Sequence, residues 1–242
     1  MTSNASTSAE EPLLSNRFLV KLTVTVALLA ALTLAISIVG RRYGEQLALA
    51  GHTDDVTIHQ IAIGEDVINL PANMIRFEQQ RRSGRAELVD AYLAWPEMTG
   101  YQRSLAERFN RTQASASLVF LQFSQSVMTR DMSGRLDPIY SRLFATGVEK
   151  GPAGLEIHRM KPDSGFGNET VLTGKRQDGT VYVVRCLLPE YGQPSGNADC
   201  QRDIHVGKDL TLLYRFSSQL LPQWAALDRA MVEFAAARIQ IR

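Results

Sequence analysis

Cysteine, histidine and net charge are all scarce in this chain, and each scarcity removes a class of function. The two cysteines, Cys186 and Cys200, cannot supply a four-ligand zinc site, and their C-x13-C spacing is not that of a C-x-x-C redox pair. The four histidines, His52, His59, His158 and His205, form no H-E-x-x-H and no pair at metal-ligand spacing. A formal net charge of +1, from 26 basic and 25 acidic residues, gives no electrostatic case for nucleic acid or an anionic substrate. The sequence also lacks G-x-S-x-G, G-x-x-x-x-G-K-[ST] and a G-x-G-x-x-G opening a helix. No catalytic, cofactor-binding or metal-ligating residue is therefore expected, and no cofactor.

What is present is one long apolar run. Phe18–Val39 (FLVKLTVTVALLAALTLAISIV) carries a single charge, Lys21, and spans 22 residues, against the roughly 20 that a helix needs to cross a bilayer's hydrocarbon core. The competing reading is a secretory signal, but its apolar region would run only about 7–15 residues before a small-residue cleavage site. The A-x-A pattern at Ala48–Ala50 lies beyond the apolar end, behind Arg41 and Arg42. An uncleaved anchor is the expectation. Thr23, Ala27, Ala31 and Ala35 recur every four residues, which stacks small side chains on one helix face and allows a partner helix, or a second copy, to approach closely.

Flanking charge does not orient the anchor, because Arg17 and Lys21 on one side face Arg41 and Arg42 on the other. The cysteines break the tie. They flank a loop containing Pro189, Gly192, Pro194 and Gly196, and closing a loop of about 15 residues is worth roughly 3 kcal/mol. A disulfide there needs an oxidising compartment, which behind an inner-membrane anchor is the bacterial periplasm. Two free buried thiols in a cytosolic domain are the alternative. The resulting division is a disordered cytoplasmic tail over 1–16, a transmembrane helix with a short extension over 17–50, and a periplasmic α+β domain over 51–242. The tail is rich in Ser, Thr, Ala and Glu and has no aromatic residue, so it cannot bury enough surface to order itself.

From Val56 the hydrophobic period changes to that of strands. VTIHQIAI and VINL, joined at Gly64-Glu65-Asp66, read as a hairpin ended by Pro71. Asn73 is expected to cap a short helix through MIRFEQQRR. The basic cluster Arg76–Arg85 is either a solvated turn or a contact for phosphate or lipid headgroups. Leu88–Trp95 alternates as a strand and stops at Pro96. Ser115–Met128 fits a long strand better than a helix. Asp137-Pro138 is expected to open a helix running to Gly147, the Asp as cap and the Pro in the first turn.

Further strands are expected at 155–160, 170–174, 180–188, 202–206 and 210–216, with an Asp178-Gly179 hairpin signal. No long helix separates successive strands, so the sheet is expected to be mainly antiparallel rather than built of βαβ units. A closing helix carries Leu220, Trp224, Leu227, Met231 and Phe234 in one stripe, to be buried on the sheet or in a partner's groove. The expected fold class is α+β: one N-terminal transmembrane helix, then a mainly antiparallel domain with a C-terminal amphipathic helix on the sheet.

The segments GEDVINLPANMIRF (64–77), WPEM (95–98) and CQRDIHVG (200–207) resemble bacterial single-pass membrane-anchored proteins of the alpha-proteobacterial kind. The resemblance implies the topology and carries over no functional residue. The expected function is that of a non-enzymatic envelope protein, a binding or accessory module whose partners are the inner membrane and another envelope protein. The alternative is an envelope enzyme using His158 or His205 beside a carboxylate, with His59, His158 and His205 converging.

Overall fold

The computed structural model describes residues 16–49, 51–110, 117–189, 195–196 and 198–240. The chain divides into two compact units, Met1–Ala50 and Gly51–Arg242. The expected disordered tail lies outside the described residues apart from Asn16. Helix α1, Asn16–Leu49, is 34 residues long. Its stretch Arg17–Ser37 has a mean hydropathy of 2.3 and is long and apolar enough to cross a membrane. Thr23, Thr25 and Thr33 donate their hydroxyls to carbonyls one turn back, each at 2.9 Å, so these three hydroxyls are satisfied within the helix.

The second unit is α+β. Its elements are β1 (Ile58–Ile63), β2 (Asp66–Pro71), β3 (Gly84–Arg85), β4 (Leu88–Ala94), α2 (Ala106–Asn110), β5 (Leu118–Gln125), α3 (Ser141–Leu143) and β6 (Glu149–Lys150). There follow β7 (Glu156–Arg159), β8 (Thr170–Lys175), β9 (Val181–Cys186), β10 (Cys200–Val206), β11 (Leu210–Phe216), α4 (Trp224–Arg238) and β12 (Ile239–Gln240). The strands divide between two sheets: a large one ordered β4-β5-β11-β10-β9-β8-β7-β6 and a small one ordered β12-β2-β1-β3. Every pairing in the large sheet is antiparallel. In the small sheet β3 runs parallel to β1.

One core joins these layers. Inward residues of the large sheet (Val89, Leu121, Phe123, Leu212, Tyr214) meet Ile61, Ile68 and Leu70 of the small sheet. The α4 stripe, Trp224, Leu227, Met231 and Phe234, packs into the same cluster together with Leu220. The expected stripe is thus buried on the protein's own sheets.

Two hairpins of like sequence fasten the sheets to each other. Ile63-Gly64-Glu65-Asp66 joins β1 to β2, and Val206-Gly207-Lys208-Asp209 joins β10 to β11. The Asp66 carboxylate accepts the backbone amides of Lys208 (2.9 Å) and Asp209 (3.0 Å), and Asp209 accepts the amide of Glu65 (3.1 Å). Each turn opens with a glycine at positive φ, +57° at Gly64 and +62° at Gly207. A Cβ at either would collide with the opposing carboxylate, so glycine is required there for conformation and for space.

The sheet parts between β9 and β10. Only Cys200↔Cys186 and Gln201↔Arg185 pair across them, and the disulfide Cys186–Cys200 closes that end, with a Cα–Cα distance of 4.0 Å. Beyond it the Arg202 guanidinium occupies the parting and donates to Val183 O, replacing ladder bonds.

Of two expected helices, the one from Asn73 does not form and the one from Asp137 is cut short. In place of a helix from Asn73, 3₁₀ turns occur at Ala72–Met74 and Glu78–Gln80. Asn73 is buried and donates to Tyr101 O (3.0 Å) instead of capping. Arg81 folds back onto the carbonyls of Ile75, Gly51 and Arg76, satisfying acceptors outside a helical ladder. In place of a helix over Asp137–Gly147, a wide π turn spans Leu136–Tyr140 and α3 adds a single turn. Asp137 lies inside the turn, and Phe144 is already extended, bridged to Met160 and stacked on His158 at 4.4 Å. Tertiary contacts thus end the helix that its local sequence would continue.

Candidate functional site

Paired residues in adjacent strands share a face, so register sorts the large sheet into two. The inner face includes the row Leu121, Ala91, Tyr214, Arg202. The outer face includes the row Tyr92, Phe120, Arg215, Gln201, Arg185, Val171.

On the inner face lies a buried polar network. Asp228 of α4 accepts Arg202 Nε (3.0 Å) and the Tyr214 hydroxyl (2.7 Å) on one oxygen and Arg176 Nε (2.7 Å) on the other. Arg202 also donates to Ser133 Oγ (2.9 Å) and stands over the Tyr182 ring at 4.8 Å. Burial alone would raise the carboxyl of Asp228, but the charges of Arg202 and Arg176 outweigh it and hold the group below the usual carboxylate range. The Tyr214 hydroxyl is pushed well up, chiefly by burial. The network ties α4, β10, β11 and the β8–β9 end together. A cleft of about 430 Å³ beside it is lined by Arg176, Asp228, Lys175, Trp224 and Arg229. Both oxygens of Asp228 are engaged by protein donors, so the network ties these elements together.

The outer face has a different character. Two shoulders rise from it. On the β8–β9 side Met132, Tyr140, Met160, Val171 and Val183 form a small cluster of their own. On the β4 side Tyr92 is roofed by His52, Tyr101 and Phe109. Between the shoulders runs a trough. Its main hollow, about 400 Å³, is lined by Val127, Met128, Ile139, Phe166, Arg185 and Gln122 among others. A smaller recess of about 30 Å³, containing Arg76, Asp90, Phe120 and Arg215, adjoins it and shares Gln122 and Leu213. Val127 is 92% exposed, Met128 55%, Ile139 43% and Phe166 39%. Four large apolar side chains are thus exposed along one rim, outside the core clusters.

Charges in the trough are partly cancelled. Arg185 pairs with Glu169 at 2.7 Å and Arg135 pairs with Asp203. Asp90 accepts the side-chain amides of Gln80 (3.1 Å) and Gln122 (3.0 Å). Arg76 stands over the rings of Phe77 (5.0 Å) and Phe120 (5.2 Å). Neither Arg76 nor Arg215 makes an ion pair among the described residues.

The histidines do not converge. His59 lies on β1 of the small sheet, while His158 on β7 and His205 on β10 are three strand spacings apart in the large one, or about 14 Å. His158 contacts Thr173 Oγ1 at 3.0 Å and approaches Glu156 at 3.9 Å. Burial holds it below its ordinary value against the pull of Glu156. His205 Nε2 meets Ser126 Oγ at 3.0 Å, but that hydroxyl also donates to Met128 O at 3.1 Å, closing a local turn. Among the described residues no three His, Cys, Asp or Glu side chains are grouped to hold a metal ion. Of the basic cluster, Arg76 belongs to the trough and Arg81 to the backbone. Arg82 and Arg85 line a separate hollow of about 310 Å³ with Gln79, Glu87 and Leu88.

The trough is not visible in the sequence, because the residues of its main hollow come from six separate segments and no spacing links them. The one signal is the break of alternation after β5, where Val127 and Met128 are adjacent apolar residues in a turn.

No protein-family profile matches the chain, and no curated protein matches its sequence. Among solved structures it is similar to the crystal structure of the iron-regulated outer membrane lipoprotein FrpD of Neisseria meningitidis, at 9% sequence identity and a TM-score of 0.48, over 78% of this chain and 97% of that one. No residue role is carried across at that distance.

Proposed function

We propose that this chain is a non-enzymatic, membrane-anchored envelope protein whose α+β unit binds a segment of another envelope protein in the outer-face trough. The observation that carries the reading is the rim of exposed Val127, Met128, Ile139 and Phe166 around a hollow of about 400 Å³. Hollows of about 300–1,000 Å³ with an apolar lining and a few placed polar groups are the usual form of a binding site. The apolar run of α1 supports membrane anchorage. The disulfide supports an oxidising compartment for the second unit, which gives a cytoplasmic N-terminus and a periplasmic C-terminal unit at the inner membrane. The stripe Thr23, Ala27, Ala31, Ala35 is where a second transmembrane helix, from a partner or another copy, packs against this one.

The test places a photo-crosslinking side chain at Val127 in the full chain in its native membranes, with the same probe at Val148, which is 59% exposed but outside the trough. The expected result is one adduct of defined size at Val127, absent at Val148 and reduced at least about tenfold by Phe166→Asp, the loss of a single strong interface contact. Identical products at both positions would remove the binding reading.

A further inference from the structure

The chemistry of the trough says what kind of segment it takes. Four arginines line the trough and its recess: Arg76, Arg135, Arg185 and Arg215. Two are spent internally, Arg135 on Asp203 and Arg185 on Glu169. Arg76 and Arg215 are exposed, share the small recess with Phe120, and have no ion pair among the described residues. Asp90 lies in the same recess, and its two oxygens take the Gln80 and Gln122 amides. One carboxylate against two guanidinium groups leaves the recess with a net charge of +1. Its volume of about 30 Å³ is room for a water-sized group or a carboxylate head, not for a larger ligand.

Resting on the binding reading above, we infer that Arg76 and Arg215 form a carboxylate receptor at one end of the trough, so that the partner segment is an acidic and apolar peptide. An Asp or Glu side chain enters between the two guanidinium groups, where paired charge-assisted hydrogen bonds are available from planar donors. A large apolar side chain of the same segment rests against Phe166 and Ile139. Register sets the spacing between the two. Arg215, Gln201 and Arg185 form one row across β11, β10 and β9, and the Phe166 ring lies 5.5 Å from the Arg185 guanidinium. Two strand spacings are about 10 Å, which an extended chain covers in roughly three residues. The motif is therefore an acidic residue with a bulky apolar residue three or four positions away.

The experiment selects a phage-displayed library of random octapeptides on the full chain in detergent micelles, then measures the enriched peptides by fluorescence anisotropy. Enrichment of Asp or Glu three or four positions from Leu, Ile, Phe or Trp is expected. Arg76→Ala and Arg215→Ala should each weaken the acidic peptide about tenfold while leaving its Glu→Gln or Asp→Asn counterpart unchanged. Ile139→Asp should weaken both peptides. Enrichment that depends on Ile139 and Phe166 but shows no acidic preference would overturn the carboxylate receptor and leave the binding reading standing. Enrichment insensitive to every trough substitution, or none at all, would overturn both.

Discussion

The two faces of the large sheet are built from alternate residues of the same strands, yet they handle polar groups in opposite ways. On the inner face Arg202 is fully buried and Asp228 nearly so, and both Asp228 oxygens are committed within the protein, while Arg202 Nη2 and the Tyr182 hydroxyl find no hydrogen-bond partner among the described residues. On the outer face Arg76 and Arg215 stay exposed and make no ion pair among the described residues, beside apolar side chains that the core does not use. A charge inside a core must be matched by the protein itself, because the cost of removing it from water is otherwise too large. A charge in an open trough carries no such requirement and can be kept for a partner. The contrast separates the part of the sheet that holds the fold from the part that is available for binding.

The sharpest way to break this contrast is to remove one partner on each face. Asp228→Ala leaves Arg202 buried without its carboxylate and is expected to cost about 3–5 kcal/mol, as for other buried pairs broken on one side. Gln201→Ala, next to Arg202 but on the outer face, is expected to stay within about 0.5 kcal/mol. Urea unfolding of the full chain in detergent, followed by tryptophan fluorescence, measures both, and equal effects would erase the distinction. The pH dependence carries a definite sign. The folded-state pKa of Asp228 is depressed, so the unfolded chain takes up the proton first. The contribution is complete above the ordinary value near 3.9 and is lost as pH falls through the lower folded value.

Next in size is the seam between the faces. Since β9 and β10 share only two paired positions, the Cys186–Cys200 bond is the covalent stop on a parting that Arg202 otherwise fills alone. Its removal by paired Cys→Ala substitution is expected to cost about 3 kcal/mol, the loop-closure value for this separation. In native membranes dissolved in denaturant, so that both buried cysteines are accessible, both thiols should resist alkylation until reductant is added. Alkylation without reductant would take away the oxidising compartment, and with it the orientation proposed for the anchor.

These elements differ in how far the sequence disclosed them. Strands β1, β2, β4, β5 and β7 to β11, and the α4 stripe, follow from periodicity and turn residues, because burial on one face imposes period 2 or 3.6 on a contiguous segment. The helix expected from Asp137 stops at Leu143 and the one from Asn73 does not form, since Phe144 and Asn73 are drawn off by His158 and Tyr101, neither of which is near in sequence. The short strands β3, β6 and β12, two residues each, are too brief to show a period. Of the sites, only the cysteine pair was legible, because a disulfide is a constraint between two identifiable residues. Asp228 reads as one polar position on a helix, and Arg76 as one of several basic residues in a turn. The contrast between committed and uncommitted charge exists only once register has sorted them.

The smallest expected effect concerns the shoulder on the β4 side, where the outer face does use its polar groups internally. His52 stacks on Tyr101 at 4.8 Å, stands edge-on to Phe109, and its Nδ1 lies 2.8 Å from the Tyr92 hydroxyl. Burial pushes the Tyr92 phenol up to about 12, so the phenol stays protonated and shares a hydrogen bond with the imidazole. Burial first, and then the nearby charges of Arg81 and Arg76, hold His52 below its ordinary value, with Asn110 opposing them. A depressed folded-state value means that the unfolded chain protonates first. The stabilisation is therefore complete above about pH 6.5 and falls away as pH drops through the folded value. Unfolding midpoints measured between pH 8 and pH 5.5 should decline for the natural chain and decline less steeply for His52→Phe, which keeps the ring and removes this titration while that of His158 stays. A profile unchanged by that substitution would place the shoulder with the trough, as surface that the fold does not depend on.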